Sequence, residues 1–315
     1  MKKTMNKEKN FNLGYACIFL CCCATAVSLV FISHMNKTHN TMLSIFMTFS
    51  YATLIFNLIN FKKIRHIYSL VLQNKKILFR MNIVTLFNWL GTFMALRYLD
   101  PATALCLILG ILSVTIFLIS TPPHKFKSNK HLCFSMLLVL FSMGLVIKQN
   151  IALNPGEAHL YNLMHGLAWC ALDGVTGAFI GMSSEAMGKA GFSVTQILAT
   201  RFYLLTLVGG VVFLFMNHGP IVIDWKYYLL SSLLIVFFPL LMYQTAIREL
   251  GTLLVSLLEP FSPVLAYILQ VVIGDYRFNV IMISLLLLSC LAIVWFVRIE
   301  QAIQRKKHFI VAVGN

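Results

Sequence analysis

The chain has 315 residues, of which 59% are hydrophobic and 11% are charged, and its mean hydropathy is +0.83. This composition excludes a soluble globular domain of that length. Lys and Arg outnumber Asp and Glu by 25 to 10, and the net charge of +15 would ordinarily suggest nucleic acid as a partner. In so apolar a chain the basic residues are better explained by a membrane, so no nucleic acid is expected.

Ten long apolar stretches follow one another along the chain. Numbered as spans 1 to 10, they are residues 13–33, 41–61, 81–99, 101–120, 132–150, 161–182, 194–216, 227–247, 251–272 and 279–297. Each is close to the ~20 apolar residues that a helix needs to cross a ~30 Å hydrocarbon core. Only helices and closed barrels satisfy their backbone in lipid, and these stretches are too long for barrel strands. We therefore predict an all-α integral membrane protein with ten transmembrane helices, in contact with the lipid bilayer.

The basic residues alternate between the gaps that separate the spans. Nineteen of the 25 lie in the N-terminal segment, in even-numbered gaps or in the C-terminal tail, whereas the odd-numbered gaps have one each and Arg201 lies inside span 7. Lys and Arg accumulate in cytoplasmic loops. The pattern predicts that both termini are cytoplasmic and that the first gap faces outward.

Two segments that lie five spans apart are similar in sequence. Residues 95–118, ALRYLDPATALCLILGILSVTIFL, can be laid on residues 246–269, AIRELGTLLVSLLEPFSPVLAYIL. Each begins with Ala, an aliphatic residue and Arg, and then turns tightly into the next span. Because five crossings are an odd number, the second copy must insert upside down, which is a recurring design in transporters. We predict two inverted five-helix repeats, residues 1–150 and 151–315.

With this layout the chain resembles the drug/metabolite transporter superfamily, specifically the EamA-type carriers with ten helices. Residues 257–278, LLEPFSPVLAYILQVVIGDYRF, are similar to the family's signature in the ninth helix; the matching positions are Glu259, Pro260, Pro263, Gly274 and Asp275. The link at 246–251, AIRELG, and Arg201 early in span 7 are also similar. The first half departs from the pattern, because span 4 ends in Ser120-Thr121-Pro122-Pro123 and Phe49 or Ser50 stands where an arginine would be expected.

The resemblance implies a secondary active transporter of the bacterial inner membrane, which exports a small metabolite by alternating access. An amino acid or a related zwitterionic or cationic solute is the expected substrate, and a proton is a candidate coupling ion. The alternative is an uptake or exchange carrier of the same superfamily. A channel and a lipid-modifying membrane enzyme are less favoured, since the nine His residues are scattered and an enzyme would need them clustered at one membrane face. No phosphate-binding loop or metal-ligand spacing is present, and no enzymatic activity or cofactor is expected.

Three ionisable residues lie inside predicted spans, where a charge costs at least ~2.5–3.5 kcal/mol and needs a compensating role. Asp173 is near the middle of span 6, while Glu259 and Arg201 lie some way into spans 9 and 7. We expect Asp173 or Glu259 to couple a proton or bind a cation. Arg201 is expected to pair with one of them or to receive a substrate carboxylate. The alternative is a purely structural ion pair, or an Arg201 side chain that reaches back to the interface.

Several uncharged residues are predicted to line the same cavity. They are Asn88, Trp89, Trp169, Tyr243 and Gln244, with Asn57 and Gln270 as weaker candidates. Amides inside membrane helices more often form hydrogen bonds between helices, which is the alternative interpretation. Pro260 and Pro263 free backbone carbonyls that lipid cannot satisfy, so span 9 is predicted to kink, and its kink is a candidate gate beside the cavity.

Overall fold

The computed structural model describes residues 10–120, 130–153, 156–216, 223–274 and 276–313. Within these ranges the chain is helical apart from short turns and contains no β-strand. Ten helical segments in the described chain are long and apolar enough to cross a membrane. The prediction of an all-α protein with ten helices able to cross a membrane is therefore confirmed for the described residues.

Fourteen α-helices build the described chain. The first six are α1 (Phe11–Thr38), α2 (Thr41–Ile59), α3 (Ile64–Gln73), α4 (Lys75–Tyr98), α5 (Pro101–Ser120) and α6 (Lys130–Leu153). The others are α7 (Glu157–Lys189), α8 (Val194–Thr200), α9 (Tyr203–Met216), α10 (Trp225–Ser231), α11 (Phe238–Leu250), α12 (Thr252–Leu258), α13 (Ser262–Ile273) and α14 (Val280–Val313). Spans 1 to 6 are single helices (α1, α2, α4, α5, α6 and α7), and span 10 is α14.

Spans 7, 8 and 9 are each interrupted. Span 7 bends at Arg201 and Phe202, between α8 and α9. In span 8 a π-helical segment, Ser232–Phe237, joins α10 to α11 just before Pro239. In span 9 a 3-10 turn, Glu259–Phe261, joins α12 to α13. Proline removes a backbone donor and clashes with the preceding turn, which accounts for the distortions in spans 8 and 9.

Helix α3 was not predicted from the sequence, where residues 62–80 were interpreted as a polar connection. Ile64, Ile67 and Leu70 recur at helical spacing and face the rest of the protein, with Ile67 buried. The lysines and arginines on either side lower the mean hydropathy of any window long enough to detect a membrane span, so this short apolar face gives no signal of its own. Helix α4 also begins at Lys75, earlier than the predicted start of span 3 at 81.

Polar side chains fix many of the helix starts. The Asn10 side chain accepts a hydrogen bond from the Leu13 N–H at 3.0 Å at the start of α1, and Asn40 caps α2 in the same way. Ser193 and Gln196 form a capping box on α8, and Asp224 caps α10. Each cap satisfies backbone donors that a helix start leaves without partners.

The similar segments 95–118 and 246–269 contain the α4–α5 turn and the α11–α12 turn, and these two turns differ in their chemistry. Between α4 and α5, the Asp100 carboxylate accepts hydrogen bonds from the Thr103 N–H and the Asn150 amide, both at 2.9 Å. Burial raises the pKa of Asp100, and the bonds from Thr103 oppose that rise. Between α11 and α12 the corresponding turn contains Gly251 with φ of 85° and ψ of 157°, a conformation that suits only glycine.

The most extensive helix contacts are between α4 and α7, between α1 and α11, and between α5 and α7. Helices α2 and α9, α6 and α14, and α1 and α13 also pack closely, as do α5 and α13. Gly91 allows the approach of α4 to α7, since a Cβ atom there would lie 2.8 Å from the Cβ of Asp173 and 3.0 Å from the Trp169 carbonyl oxygen. This packing surrounds a cavity between the two halves of the chain.

Candidate functional site

A cavity of about 140 Å³ lies where α1, α4, α5, α7, α11 and the interruptions of spans 7 and 9 meet. A water molecule needs roughly 10–15 Å³ of such space, so the cavity has room for a small solute. Six of the eight predicted binding residues line it: Asn88, Trp89, Asp173, Arg201, Tyr243 and Glu259. Leucine and isoleucine side chains from α1 and α5 form much of the remaining wall.

Asp173 is bound by α4 through both of its carboxylate oxygens. The Asn88 amide donates to Oδ1 and also to the Asp173 backbone carbonyl, and the Thr92 hydroxyl donates to Oδ2 at 2.6 Å. Asp173 is only 3% exposed, so these two donors replace the water that the carboxylate loses on burial. The bonds also link the first half of the chain to the second across the α4–α7 contact.

Arg201 is 1% exposed and lies at the bend of span 7. Its Nε and Nη1 atoms have no hydrogen-bond partner among the described residues, and it forms no ion pair with Asp173 or Glu259 there. Its Cζ atom lies 5.2 Å from the centre of the Phe202 ring. The Arg201 side chain thus lines the cavity, and its buried donors Nε and Nη1 are unused.

Glu259 begins the 3-10 turn of span 9, and its carboxylate also faces the cavity. The Oε2 atom is buried and has no hydrogen-bond partner in the described part of the chain. Tyr243 on α11 lines the same cavity. The site therefore contains one satisfied carboxylate, at Asp173, and two ionisable side chains with buried, unused hydrogen-bonding atoms, at Arg201 and Glu259.

The aromatic candidates occupy different places. Trp89 lines the cavity, with its ring 4.8 Å from that of Phe49, and its indole Nε1 has no partner among the described atoms. Trp169 packs against the hydrophobic core and is outside the described lining. Gln244 is buried beside the cavity and does not line it.

The remaining candidates support the wall from behind or join helices. Pro260 and Pro263 are buried outside the described lining, next to Glu259 in the chain. The Asn57 amide donates to the Ala199 carbonyl at 3.2 Å, and Gln270 accepts from the Ala102 N–H at 3.2 Å. The two amides thus form the interhelical bonds that were the alternative interpretation.

Span 1 contributes to the cavity, which the sequence analysis missed. Cys21, Thr25 and Ser28 of α1 line it, and their spacing of four and three residues places them on one helix face. Ser28 Oγ donates to the Leu234 carbonyl at 2.8 Å, and Cys21 Sγ donates to the Pro239 carbonyl at 3.5 Å. Because Pro239 has no N–H and the Phe238 N–H bonds to the Leu233 carbonyl, the Leu234 carbonyl lacks a helical partner, which the Ser28 hydroxyl replaces. The spacing alone could have indicated this face.

Thr92 was also missed, although it contacts Asp173 directly. It lies four residues after Asn88, so both side chains point from the same face of α4. The helix spacing was therefore a usable signal once Asn88 had been singled out.

No family model matches the chain, and no curated protein matches it. A solved structure described only as "Crystal structure of protein" superposes with a TM-score of 0.62 at 16% sequence identity, over 94% of this chain and 97% of that one. The likeness shows a shared fold. Because it covers nearly the full length of both chains, the ten-span arrangement as a whole is common to them.

Proposed function

We propose that the chain is a secondary active transporter that exports a small zwitterionic metabolite, such as an amino acid, by alternating access. The observation that supports this most directly is that Arg201 and Glu259 line one cavity, and that each has buried hydrogen-bonding atoms without a partner among the described residues. Burying a charge without a partner is costly, so a bound solute that satisfies both groups would be strongly favoured.

The polar atoms define what such a solute must offer. Arg201 presents unpaired N–H groups on Nε and Nη1, and charged guanidinium donors form strong hydrogen bonds with carboxylate oxygens. Glu259 presents an acceptor oxygen that suits an ammonium group. The aliphatic walls leave room for a short apolar side chain between them. An amino acid meets all three requirements.

Asp173 is assigned to proton coupling, because its oxygens are already occupied by α4. A proton on Asp173 removes an acceptor site, and the Thr92 hydroxyl can then turn to the Asn88 carbonyl, which lies 3.1 Å away. Protonation would therefore loosen the contact between α4 and α7. Because those helices belong to different halves of the chain, the proton would be linked to the movement between the halves.

The helix contacts support two inverted repeats, residues 1–150 and 151–315. If the two halves are repeats, each span corresponds to the span five positions away, and equivalent spans should make equivalent contacts. The contact of spans 3 and 6 (α4 and α7) then corresponds to that of spans 8 and 1 (α11 and α1), and both are extensive. The same correspondence relates the contact of spans 4 and 6 to that of spans 9 and 1, and maps the contacts of spans 2 and 7, 5 and 10, and 4 and 9 onto themselves. Together with the charge split between gaps, this supports a carrier with both termini inside, and the resemblance to EamA-type carriers is the basis for proposing the bacterial inner membrane.

Counterflow in proteoliposomes tests the proposal. The purified protein is reconstituted and loaded in turn with unlabelled amino acids, and uptake of the same labelled amino acid is followed. We expect saturable counterflow for at least one of them, which is lost in Arg201→Met and retained in Arg277→Met, a control outside the cavity. Flux that rises linearly with concentration would favour the channel, and an absence of flux across the panel would reject an amino-acid carrier. Imposing gradients in each direction separates export from uptake or exchange.

A further inference from the structure

The bend in span 7 has no proline or glycine to explain it. Helix α8 ends at Thr200, α9 begins at Tyr203, and the intervening Arg201 and Phe202 are not helical. Sharp interruptions without such residues arise where a side chain or a water molecule inserts into the ladder of backbone hydrogen bonds. The cause must therefore be sought on a neighbouring helix.

Asn82 of α4 inserts its side-chain amide at this bend. Its Nδ2 donates to the Thr200 carbonyl at 2.9 Å, and its Oδ1 accepts from the Leu204 N–H at 3.3 Å. In a continuous α-helix the Leu204 N–H would bond to the Thr200 carbonyl, four residues earlier. The Asn82 amide thus takes the place of one rung of the helix and satisfies the two backbone groups of that rung.

We propose that Asn82 is a positioning residue, which holds span 7 open so that Arg201 faces the cavity. Asn82 does not line the cavity in the described structure, and it is 8% exposed. Without its amide, Leu204 and Thr200 can bond directly, α8 and α9 can merge, and Arg201 turns with the straightened helix. The contribution of Asn82 to transport rests on the proposed function of Arg201 as the carboxylate site.

Modification of Arg201 by 2,3-butanedione, a small arginine-selective reagent, tests the positioning role without any substrate. The modified peptide is quantified by mass spectrometry for the protein and for Asn82→Leu, a replacement of similar size. We expect the rate at Arg201 to fall about fivefold in Asn82→Leu, the population shift that one net hydrogen bond gives.

Asn60→Leu is the matched control. Asn60 also contacts α8, since its amide donates to the Thr195 carbonyl at 3.1 Å, but it bonds no backbone group at the bend. Both variants lose interhelical hydrogen bonds, so a general loss of stability would affect them alike. The positioning role requires that only Asn82→Leu slows modification.

A second substitution should reverse the defect. Leu204→Pro removes the N–H that closes the helix, at the second residue of α9, where proline is tolerated. We expect Asn82→Leu combined with Leu204→Pro to regain the modification rate of the original protein. If Asn82→Leu does not fold, Asn82→Ala with and without Leu204→Pro provides the same comparison, with Asn60→Ala as control.

The positioning role is overturned if the Asn82 variants react at the original rate, if the Asn60 variants slow equally, or if Leu204→Pro fails to restore reactivity. The two proposals fail separately. The expected modification pattern without amino-acid counterflow would reject the transport proposal alone, and counterflow with an unchanged modification pattern would reject the positioning role alone.

Discussion

Asp173 is held between an amide and a hydroxyl of α4, and it is the group that we propose carries the coupled proton. Asp173→Asn keeps the size of the side chain and one acceptor oxygen, and it removes the titration. We expect transport driven by a pH gradient to be abolished while counterflow, which needs no coupled proton, persists. Transport by reconstituted vesicles with and without an imposed pH gradient measures both.

Asp224→Asn is the matched control for this substitution, since Asp224 caps α10 at an exposed position and asparagine is an equally good cap. It should leave both kinds of transport unchanged. An Asp173→Asn protein that still responds fully to the pH gradient would remove Asp173 from the coupling step.

Arg201 is suited to a carboxylate because its guanidinium presents parallel donors in a fixed plane. Arg201→Lys keeps the positive charge and loses that geometry. We expect KM for the transported amino acid to rise about tenfold to a hundredfold, the range given by hydrogen bonds to charged groups. The control is Arg248→Lys, whose side chain is 51% exposed and pairs with the adjacent Glu249. An unchanged KM in Arg201→Lys would mean that Arg201 does not bind the carboxylate.

The sequence indicated the charged residues of the site because charge inside an apolar stretch is rare and costly. It gave no comparable signal for Thr92 or Ser28. Small hydroxyls are common in membrane helices and usually bond to their own backbone, as Thr176 does to the Leu172 carbonyl at 2.7 Å. Only the packing of α4 on α7, and of α1 on span 8, distinguishes the hydroxyls that contact the site.

At the scale of elements, the turn between α11 and α12 depends on Gly251. Its φ of 85° with ψ of 157° is strained for any residue with a Cβ atom. We expect Gly251→Ala to destabilise the protein by about 1–3 kcal/mol, measured as a lower midpoint of thermal unfolding in detergent. Gly144→Ala is the control, because Gly144 lies inside α6 with no atom within 4 Å of an added Cβ. That change should be neutral or stabilise by up to about 1 kcal/mol. Equal midpoints for the two variants would contradict the argument.

The interruptions of the second half were predictable to different degrees. Those of spans 8 and 9 lie beside Pro239 and Pro260, which can be seen in the sequence. The bend of span 7 depends on Asn82, more than a hundred residues earlier in the chain, so no local pattern reveals it. Helix α3 was missed for the opposite reason, because its local apolar pattern is too short for a membrane span.

At the scale of the whole molecule, the two halves differ in whether their helices are continuous. Spans 2, 3 and 4 are continuous helices, whereas spans 7, 8 and 9 are each interrupted close to the cavity. Arg201 and Glu259 both lie at interruptions, while Asp173 lies in the unbroken α7. The groups assigned to the substrate therefore lie at helix interruptions, and the group assigned to the proton lies on a continuous helix of the second half that packs against α4 of the first.

The charge distribution predicts the orientation of the whole chain, and fusions to reporter proteins test that prediction. The connection between spans 1 and 2, residues 34–40, has one basic residue, Lys37, whereas the connection between spans 2 and 3, residues 62–80, has six. Alkaline phosphatase, which folds only outside the cytoplasm, should be active when fused after His39 and inactive when fused after Gln73. A fluorescent protein at the C-terminus should fluoresce, since both termini are expected inside. The reverse pattern of activity would mean that both termini lie outside and that the α11–α12 turn faces outward instead of toward the cytoplasm. Five spans separate the α4–α5 turn from the α11–α12 turn, so the two turns must face opposite sides of the membrane. In the reverse pattern the α4–α5 turn would face the cytoplasm, and one fusion series therefore fixes the orientation of both halves.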